Sequence, residues 1–161
     1  NKQYEAVMDL VEQLVKQIPG VEELVKMKGL GIVTVAGFLA EVGDLSRFSH
    51  PKQIQKLAGL NLKENSSGKN KGKTTISKRG RKRLRAILFR AMIPLVAKND
   101  EFRVIHNYYI TRQGNPLKKM QSLILLCCKL IRVMYAILTK GIGYEAEKLL
   151  QDMRKTELLA A

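Results

Sequence analysis

The stretch LKKMQSLILLCCKLIRVMYAIL, residues 117–138, decides the fold class of this chain. Its apolar residues recur three and four positions apart, and Leu123, Leu125 and Val133 make the other helix faces apolar as well. Since a helix that is apolar all round is buried, the stretch predicts the central helix of a protein core. A membrane span is not predicted, because the uncharged run from Met120 to Cys128 is far too short.

Outward from this helix, the same periodicity predicts helices over 2–18, 21–28, 32–42, 51–57, from Gly80 onward, 100–112 and 144–158. Glycine and proline separate these segments, as at Pro19-Gly20. Only residues 61–79 lack apolar periodicity, and they predict a long loop with a short hairpin around Lys73–Ile76. The predicted class is therefore all-α, with one long polar loop.

The first segment carries an apolar seam at heptad spacing, formed by Tyr4, Val7, Val11, Leu14 and Ile18. Two interpretations stay open: the C-terminal end of a coiled coil, or a surface helix packed on the core. We divide the chain into residues 1–18, a coiled-coil or linker helix, and 19–161, a helical domain. Because no initiator Met is present, we expect a fragment of a longer chain.

A glycine hairpin at residues 29–31, GLG, lies between the second and third predicted helices. This arrangement is typical of a helix-hairpin-helix element, in which Gly29 and Gly31 allow a tight turn and expose backbone N–H groups to a phosphate. The alternative is a plain helical hairpin whose glycines only make the turn.

The charge is strongly one-sided, with 29 Lys and Arg against 14 Asp and Glu, a net +15. Ten basic residues lie between Lys63 and Arg85, and no acid occurs from Asn65 to Asn99. A block of one sign repels itself, so it predicts an external polyanion. If about six phosphates are neutralised, the affinity should fall with salt at a log–log slope of about −5.

Metal and thiol chemistry find little support in the sequence. His50 and His106 stand far apart, and no Cys/His cluster has the spacing of metal ligands. Cys127 and Cys128 are adjacent and cannot bridge each other on a helix, which excludes a disulfide-stapled secreted fold and predicts a reducing compartment. Serine chemistry has one candidate, Ser66-Ser67-Gly68-Lys69, but no base lies nearby, so spacing alone favours a loop that only grips phosphate.

Several short motifs occur in a fixed order: GIVTVAGFLAEVGD at 31–44, RF at 47–48, AGL at 58–60, SGK at 67–69, ISKRG at 76–80 and LR at 84–85. These motifs lie between residues 31 and 85, and the match of which they are part spans roughly residues 28–140. This ordered set resembles the C-terminal transposase domain of the one-hundred-and-ten, one-hundred-and-sixteen and nine-hundred-and-two group of bacterial insertion-sequence transposases, DEDD-type enzymes related to pilin-gene DNA invertases.

The resemblance implies a recombinase whose serine attacks DNA and forms a covalent phosphoserine link, and the matching position is Ser67. It also implies an N-terminal RuvC-like domain with four acids that bind Mg²⁺, a coiled coil, and assembly on a guide RNA. We expect this chain to lack that domain and to bind no cofactor itself. Leu62 stands where the family usually has Pro, a departure expected to alter the entry to the loop.

The sequence thus predicts a transposase fragment, with DNA and an element-encoded guide RNA as partners, that forms a homo-oligomer through its first helix in the bacterial cytoplasm and at the nucleoid. The residues predicted to hold the nucleic-acid backbone are Gly29, Gly31, Lys69, Lys71, Lys73, Lys78, Arg79, Arg81, Lys82 and Arg85. We expect the fragment alone to bind nucleic acid without recombining it. Two alternatives remain, a binding module without chemistry and an assembly domain.

Overall fold

The computed structural model describes residues 1–63, 66–67, 70–71 and 75–151. The helices are α1 (Lys2–Lys16), α2 (Val21–Val25), α3 (Ile32–Val42), the 3₁₀-helix η1 (Leu45–Arg47), α4 (Pro51–Leu57), α5 (Lys82–Lys98), α6 (Asp100–Thr111) and α7 (Lys119–Lys140). Residues 146–151 are helical as well. The strands are β1 (Leu62–Lys63), β2 (Ser66–Ser67), β3 (Asn70–Lys71) and β4 (Thr75–Ile76). The prediction of an all-α class is confirmed.

The helix α7 is the centre of the core, as its all-round apolar pattern predicts. Leu126, Leu130 and Met134 have no exposed surface, and α4, α5 and α6 all pack against this helix. By length and composition α7 would also pass for a membrane span. Such a test is weak for one helix, and the burial of its side chains inside the protein accounts for its apolar composition.

The helices α3 and α5 pack antiparallel, and this pairing determines where the glycine hairpin lies relative to the start of α5. A Cβ on Gly29 would lie 2.6 Å from the carbonyl oxygen of Pro94, near the end of α5. Gly37, in the middle of α3, faces the side chain of Ile87. The glycine hairpin therefore lies at the C-terminal end of α5, and the end of α3 lies beside the start of α5.

Polar side chains define several helix starts. Asn99 is almost fully buried, and its Oδ1 accepts a hydrogen bond of 3.2 Å from the Phe102 amide at the start of α6. His50 Nδ1 accepts one of 3.1 Å from the Lys52 amide, directly before α4. These caps satisfy amide groups that have no partner within the helix, which explains why the predicted and observed boundaries of α4 agree.

The first helix lies on the surface of the molecule. It packs on α2 and α3, yet none of its residues is buried. Four of the five seam residues are exposed, among them Tyr4 at 67% and Leu14 at 56%, while Val11 is half-buried. The predicted seam is thus real as a pattern and faces outward.

Several predicted bounds differ from the structure: α1 ends at Lys16 instead of Ile18, α5 begins at Lys82, and residues 152–158 of the last predicted helix lie outside the described residues. Two further differences concern a helix end and the loop. The second helix ends at Val25 instead of Lys28, because the chain tightens into successive three-residue turns, with Met27 N bonded to Leu24 O and Leu30 N bonded to Met27 O, both at 3.1 Å. The loop hairpin is not centred on Lys73–Ile76. Instead β4 pairs with β1 at the other end of the loop, and β2 pairs with β3.

Candidate nucleic-acid interface

The long loop leaves and re-enters the helical body at one place, which we call the loop base, residues 57–61 and 77–81. Three backbone hydrogen bonds close it: Arg81 N to Leu57 O at 2.7 Å, Lys78 N to Gly59 O at 3.0 Å, and Ser77 N to Asn61 O at 2.7 Å. The antiparallel pair β1–β4 continues this closure outward. The loop is therefore anchored as a two-stranded stem.

Two glycines allow the stem's chains to approach each other. A Cβ on Gly80 would lie 2.8 Å from the Gly59 amide nitrogen and still closer to the Leu57 carbonyl oxygen. Gly59 itself has a φ of +72°, in the left-handed region that side chains disfavour. Because backbone atoms occupy both sides, no larger residue fits at Gly80 without moving a chain.

An arginine on α5 reaches both chains of the stem. Arg85 is half-buried, and its Nη1 lies 3.2 Å from the Ala58 carbonyl oxygen and 3.5 Å from that of Lys78. A Cβ on Gly59 would be 2.8 Å from the same nitrogen. Lys78 has a φ of +53°, which is unusual for a residue with a side chain. The carbonyl of this same residue contacts the guanidinium of Arg85.

The outer side of the loop base carries a set of cations, which we call the basic surface: Lys78, Arg79, Arg81, Lys82 and Arg83, all of them exposed. Three of them stand at the start of α5, where the helix dipole favours negative charge, and no acid occurs in that first turn. The cations are therefore placed where an external anion would stabilise them.

One acid does face the basic surface. Glu41, at the end of α3, accepts a hydrogen bond of 2.5 Å from Arg81 Nη1 through its carbonyl oxygen, and its carboxylate lies 3.5 Å from Arg81 Nε. The Glu41 side chain is only 17% exposed, whereas that of Arg81 is 53% exposed. Arg81 thus joins α5 to α3 and still presents part of its guanidinium to solvent.

Sequence reasoning missed two cations on α4. Lys52 and Lys56 are both exposed, and they stand one helical turn apart on the helix whose last carbonyl, Leu57 O, bonds to Arg81 N. The sequence does contain a pattern that could have identified them, because Glu64 is the only acid between residues 45 and 99. The acid-free part of the chain therefore begins before the loop and includes α4.

The serine predicted as nucleophile lies in the strand pair farther along the loop. Ser66 pairs with Lys71 and Ser67 pairs with Asn70, antiparallel. The structure therefore describes the backbone of Ser67, which lies in β2, and the backbone of Lys71, which lies in β3. Lys69 and Lys73, also predicted to contact the nucleic-acid backbone, lie outside the described residues.

The glycine hairpin is separated from the basic surface. From Lys82 to Pro94, α5 rises ~18 Å at about 1.5 Å per residue, and Gly29 packs at the far end. Gly29 has a φ of +86° and no room for a side chain, so its close contact with α5 is enough to explain why this residue is glycine. Gly31 is different: it is exposed at the start of α3, and a Cβ there would meet no atom within 4 Å.

The remaining reactive groups lie partly or wholly inside the protein: Cys127 is buried, and His106 and Cys128 are half-buried. His106 Nδ1 lies 2.8 Å from Ser122 Oγ, but Ser122 has no exposed surface, and burial, with a smaller effect of Lys119, lowers the pKa of His106. Burial also raises the pKa of Cys128 to about 11 and that of Cys127 still further. Among the residues that the structure describes, no group of three or more His, Cys, Asp or Glu could hold a metal ion.

Comparison with known proteins places this chain in the class of insertion-sequence transposases. A family profile described as "Transposase IS116/IS110/IS902 family" matches residues 21–109, more than half of the chain. The matched segment begins after α1 and includes the glycine hairpin, the whole loop and α5. The chain belongs to this family.

Two relatives agree with this membership. The chain is 29% identical over 147 residues to the transposase for insertion sequence element IS1111A of Coxiella burnetii, covering 87% of this chain and 39% of that protein. It is also 29% identical over 117 residues to the insertion element IS116 uncharacterized 44.8 kDa protein of Streptomyces clavuligerus, covering 73% of this chain and 29% of that protein. The chain thus spans 29 to 39% of the length of these relatives.

Proposed function

We propose that this chain is the serine-bearing, nucleic-acid-binding part of an insertion-sequence transposase. The single observation that carries the proposal is the loop base: a loop containing Ser67 is tied to the helical body by three backbone hydrogen bonds, directly beside the exposed basic surface. Such a stem holds a polar loop at a fixed place next to charges that attract phosphate.

The proposed ligand of the basic surface is the phosphate backbone of DNA and of an element-encoded guide RNA. The basic surface, Lys52 and Lys56 contact one stretch of backbone, and exposed Gly31 lets a second phosphate approach the start of α3. The two regions are ~18 Å apart along α5, and a duplex carries about one charge per 1.7 Å, so one duplex can reach both.

The proposed reaction is a transesterification. The Oγ of Ser67 attacks a DNA phosphorus, an Oγ–P bond forms, and the bond from phosphorus to one deoxyribose oxygen breaks. The serine proton ends on that deoxyribose oxygen, so the number of phosphate ester bonds is conserved and no oxidant or reductant is needed. The nearby cations stabilise the charge that develops on the phosphate oxygens.

The Mg²⁺ that the resemblance implies finds no fitting residues in the described part of the chain, since no group of acids, His or Cys lies close enough together. We therefore assign Mg²⁺ binding to an N-terminal RuvC-like domain of the full-length protein, and no step above depends on it. As part of the same proposal, this chain alone binds nucleic acid without recombining it. Its proposed location is the bacterial cytoplasm, at the nucleoid.

The proposal is tested by trapping a covalent adduct. The full-length transposase is incubated with a nicked suicide DNA substrate, and the protein–DNA adduct is resolved on a denaturing gel. Ser67→Ala should abolish the adduct, whereas Ser66→Ala should retain it, because the family resemblance assigns the nucleophile to position 67 alone. An adduct that survives Ser67→Ala would overturn the proposed chemistry and favour a binding module without catalysis.

The proposed partner of α1 is a second copy of this chain. Tyr4, Val7, Leu14 and Ile18 are exposed apolar residues at heptad spacing, and the ion pair of Glu12 with Lys16, 2.9 Å long, lies off that seam. Val7→Glu with Leu14→Glu should convert an oligomer to monomer in light scattering. The matched control is Val104→Glu, at an exposed valine of α6, which should leave the mass unchanged.

A further inference from the structure

One cation near the loop differs from the members of the basic surface in its surroundings. Arg85 follows the first turn of α5, next to Leu84, which is fully buried in the core. It is half-buried, while the five residues of the basic surface are exposed. Its guanidinium is therefore directed along the protein surface toward the loop base.

The guanidinium of Arg85 contacts both chains of the stem at once. Its Nη1 reaches the Ala58 carbonyl on the chain that enters the loop and the Lys78 carbonyl on the chain that leaves it. These residues are 27 and 7 positions away from Arg85 in sequence. An arginine is charged at every pH of interest and presents several donors in one plane, so it can add a side-chain link between the two carbonyls to the backbone hydrogen bonds that already close the stem.

The backbone around Arg85 leaves room for this contact. Gly59 has no side chain, and a Cβ at that position would lie 2.8 Å from Nη1, too close for two unbonded heavy atoms. Lys78 adopts a left-handed φ of +53°, a strained conformation for a residue with a side chain. Two of the three residues with positive φ in the loop base, Gly59 and Lys78, therefore lie at the same guanidinium nitrogen.

We infer that Arg85 is a positioning residue, which ties the two chains of the stem together and thereby sets where Ser67 meets the DNA, and that it is not a phosphate contact. This inference rests on the proposed function, because it assigns Arg85 a part in placing the nucleophile. It changes the role predicted for Arg85 from sequence, while Lys78, Arg79, Arg81 and Lys82 keep the proposed contacts to the backbone.

The test compares adduct formation with the salt dependence of binding in the full-length protein. Arg85→Lys retains the charge and loses the planar fork, so adduct formation should slow roughly 100-fold, the loss expected when a reacting group is displaced by about 1 Å. The log–log salt slope for DNA binding should stay as in the wild type, both in Arg85→Lys and in Arg85→Gln, which removes the charge. Lys82→Ala should behave in the opposite way, with the slope reduced by about 0.9.

A matched control lies on the same helix. Arg90 is exposed on α5, and Arg90→Lys should leave the rate of adduct formation unchanged. Hydrogen exchange, followed on peptides covering 57–63 and 75–81, should rise in Arg85→Lys only within the loop base. Exchange that rises across α3, α5 and α7 together would instead show general unfolding and overturn the inference.

The outcomes separate this inference from the function on which it rests. A salt slope reduced by about 0.9 in Arg85→Gln, which removes the charge, with a normal rate of adduct formation at saturating DNA, would make Arg85 a phosphate contact and overturn the positioning role. A wild-type rate for Arg85→Lys beside an inactive Ser67→Ala would do the same while leaving the proposed function intact. An adduct formed by Ser67→Ala would overturn the proposed function itself.

Discussion

The glycine hairpin and the loop base both depend on glycines that a side chain could not replace, yet they are built differently. Gly29 fits between two helices of the core, where its missing side chain makes room for the backbone of α5 at Pro94. Gly80 fits between two chains of a surface stem, against Leu57 and Gly59. The comparison shows that glycine in a sequence marks a close approach but does not tell what approaches.

The largest effect is expected from Gly29→Ala. The new methyl group would meet the Pro94 carbonyl at 2.6 Å, and the φ of +86° adds strain of its own. Both penalties act between α3 and α5, which cannot separate without loosening the core, so the free energy of unfolding should fall by about 3 kcal/mol. Chemical denaturation of the chain measures this. A loss below about 0.5 kcal/mol would show that the hairpin is not held by α5.

A smaller loss of stability is expected from Gly80→Ala, about 1–2 kcal/mol, because the strain can be relieved by moving one end of a surface loop. The local effect should be larger than the global one. The hydrogen bonds of Arg81 N to Leu57 O and of Lys78 N to Gly59 O should open, and their amides should exchange faster. Nuclear magnetic resonance of the amides checks this, with Gly114→Ala, a glycine of φ +74° with open space around it, as the control for φ strain alone.

The smallest effect on stability is expected from Gly31→Ala. Its φ of −88° suits any residue, and a Cβ at this position would meet no atom within 4 Å. The free energy of unfolding should therefore change by less than about 0.5 kcal/mol. Nucleic-acid binding should nevertheless weaken, with a salt slope reduced by about 0.9, because a methyl group would keep a phosphate away from the start of α3. An unchanged salt slope would mean that the glycine hairpin serves only as a turn and binds no phosphate.

Local signals explain what the sequence could predict of the fold. The bounds of α3 and α4 follow from Gly31, Gly43 and Pro51, whose effects on the backbone are confined to their own positions. The centre of the core follows from α7, whose composition leaves no polar face. The outward orientation of α1 does not follow from its pattern, because an apolar seam has the same spacing whether it faces the core or solvent.

The candidate site was predictable only in part, because its decisive contacts are not local. The excess of charge indicated a polyanion, but the two-residue strands of the loop have no alternating pattern from which their pairing could be predicted. Arg85 looks like any other member of a basic run until Ala58 is placed beside it. Ser67 was distinguished from Ser66 by the resemblance to a family and not by its spacing.

The surroundings of the two cysteines have a practical consequence for studying this protein, since Cys127 is buried and Cys128 is half-buried. A thiol reacts with maleimides as its thiolate, and at pH 7 a pKa of about 11 leaves roughly one Cys128 thiolate in ten thousand. Cys127 is even less reactive. A cysteine introduced on the surface would therefore label selectively without removal of the native pair, so fluorescent probes and DNA cross-linkers could be attached to the otherwise unaltered chain.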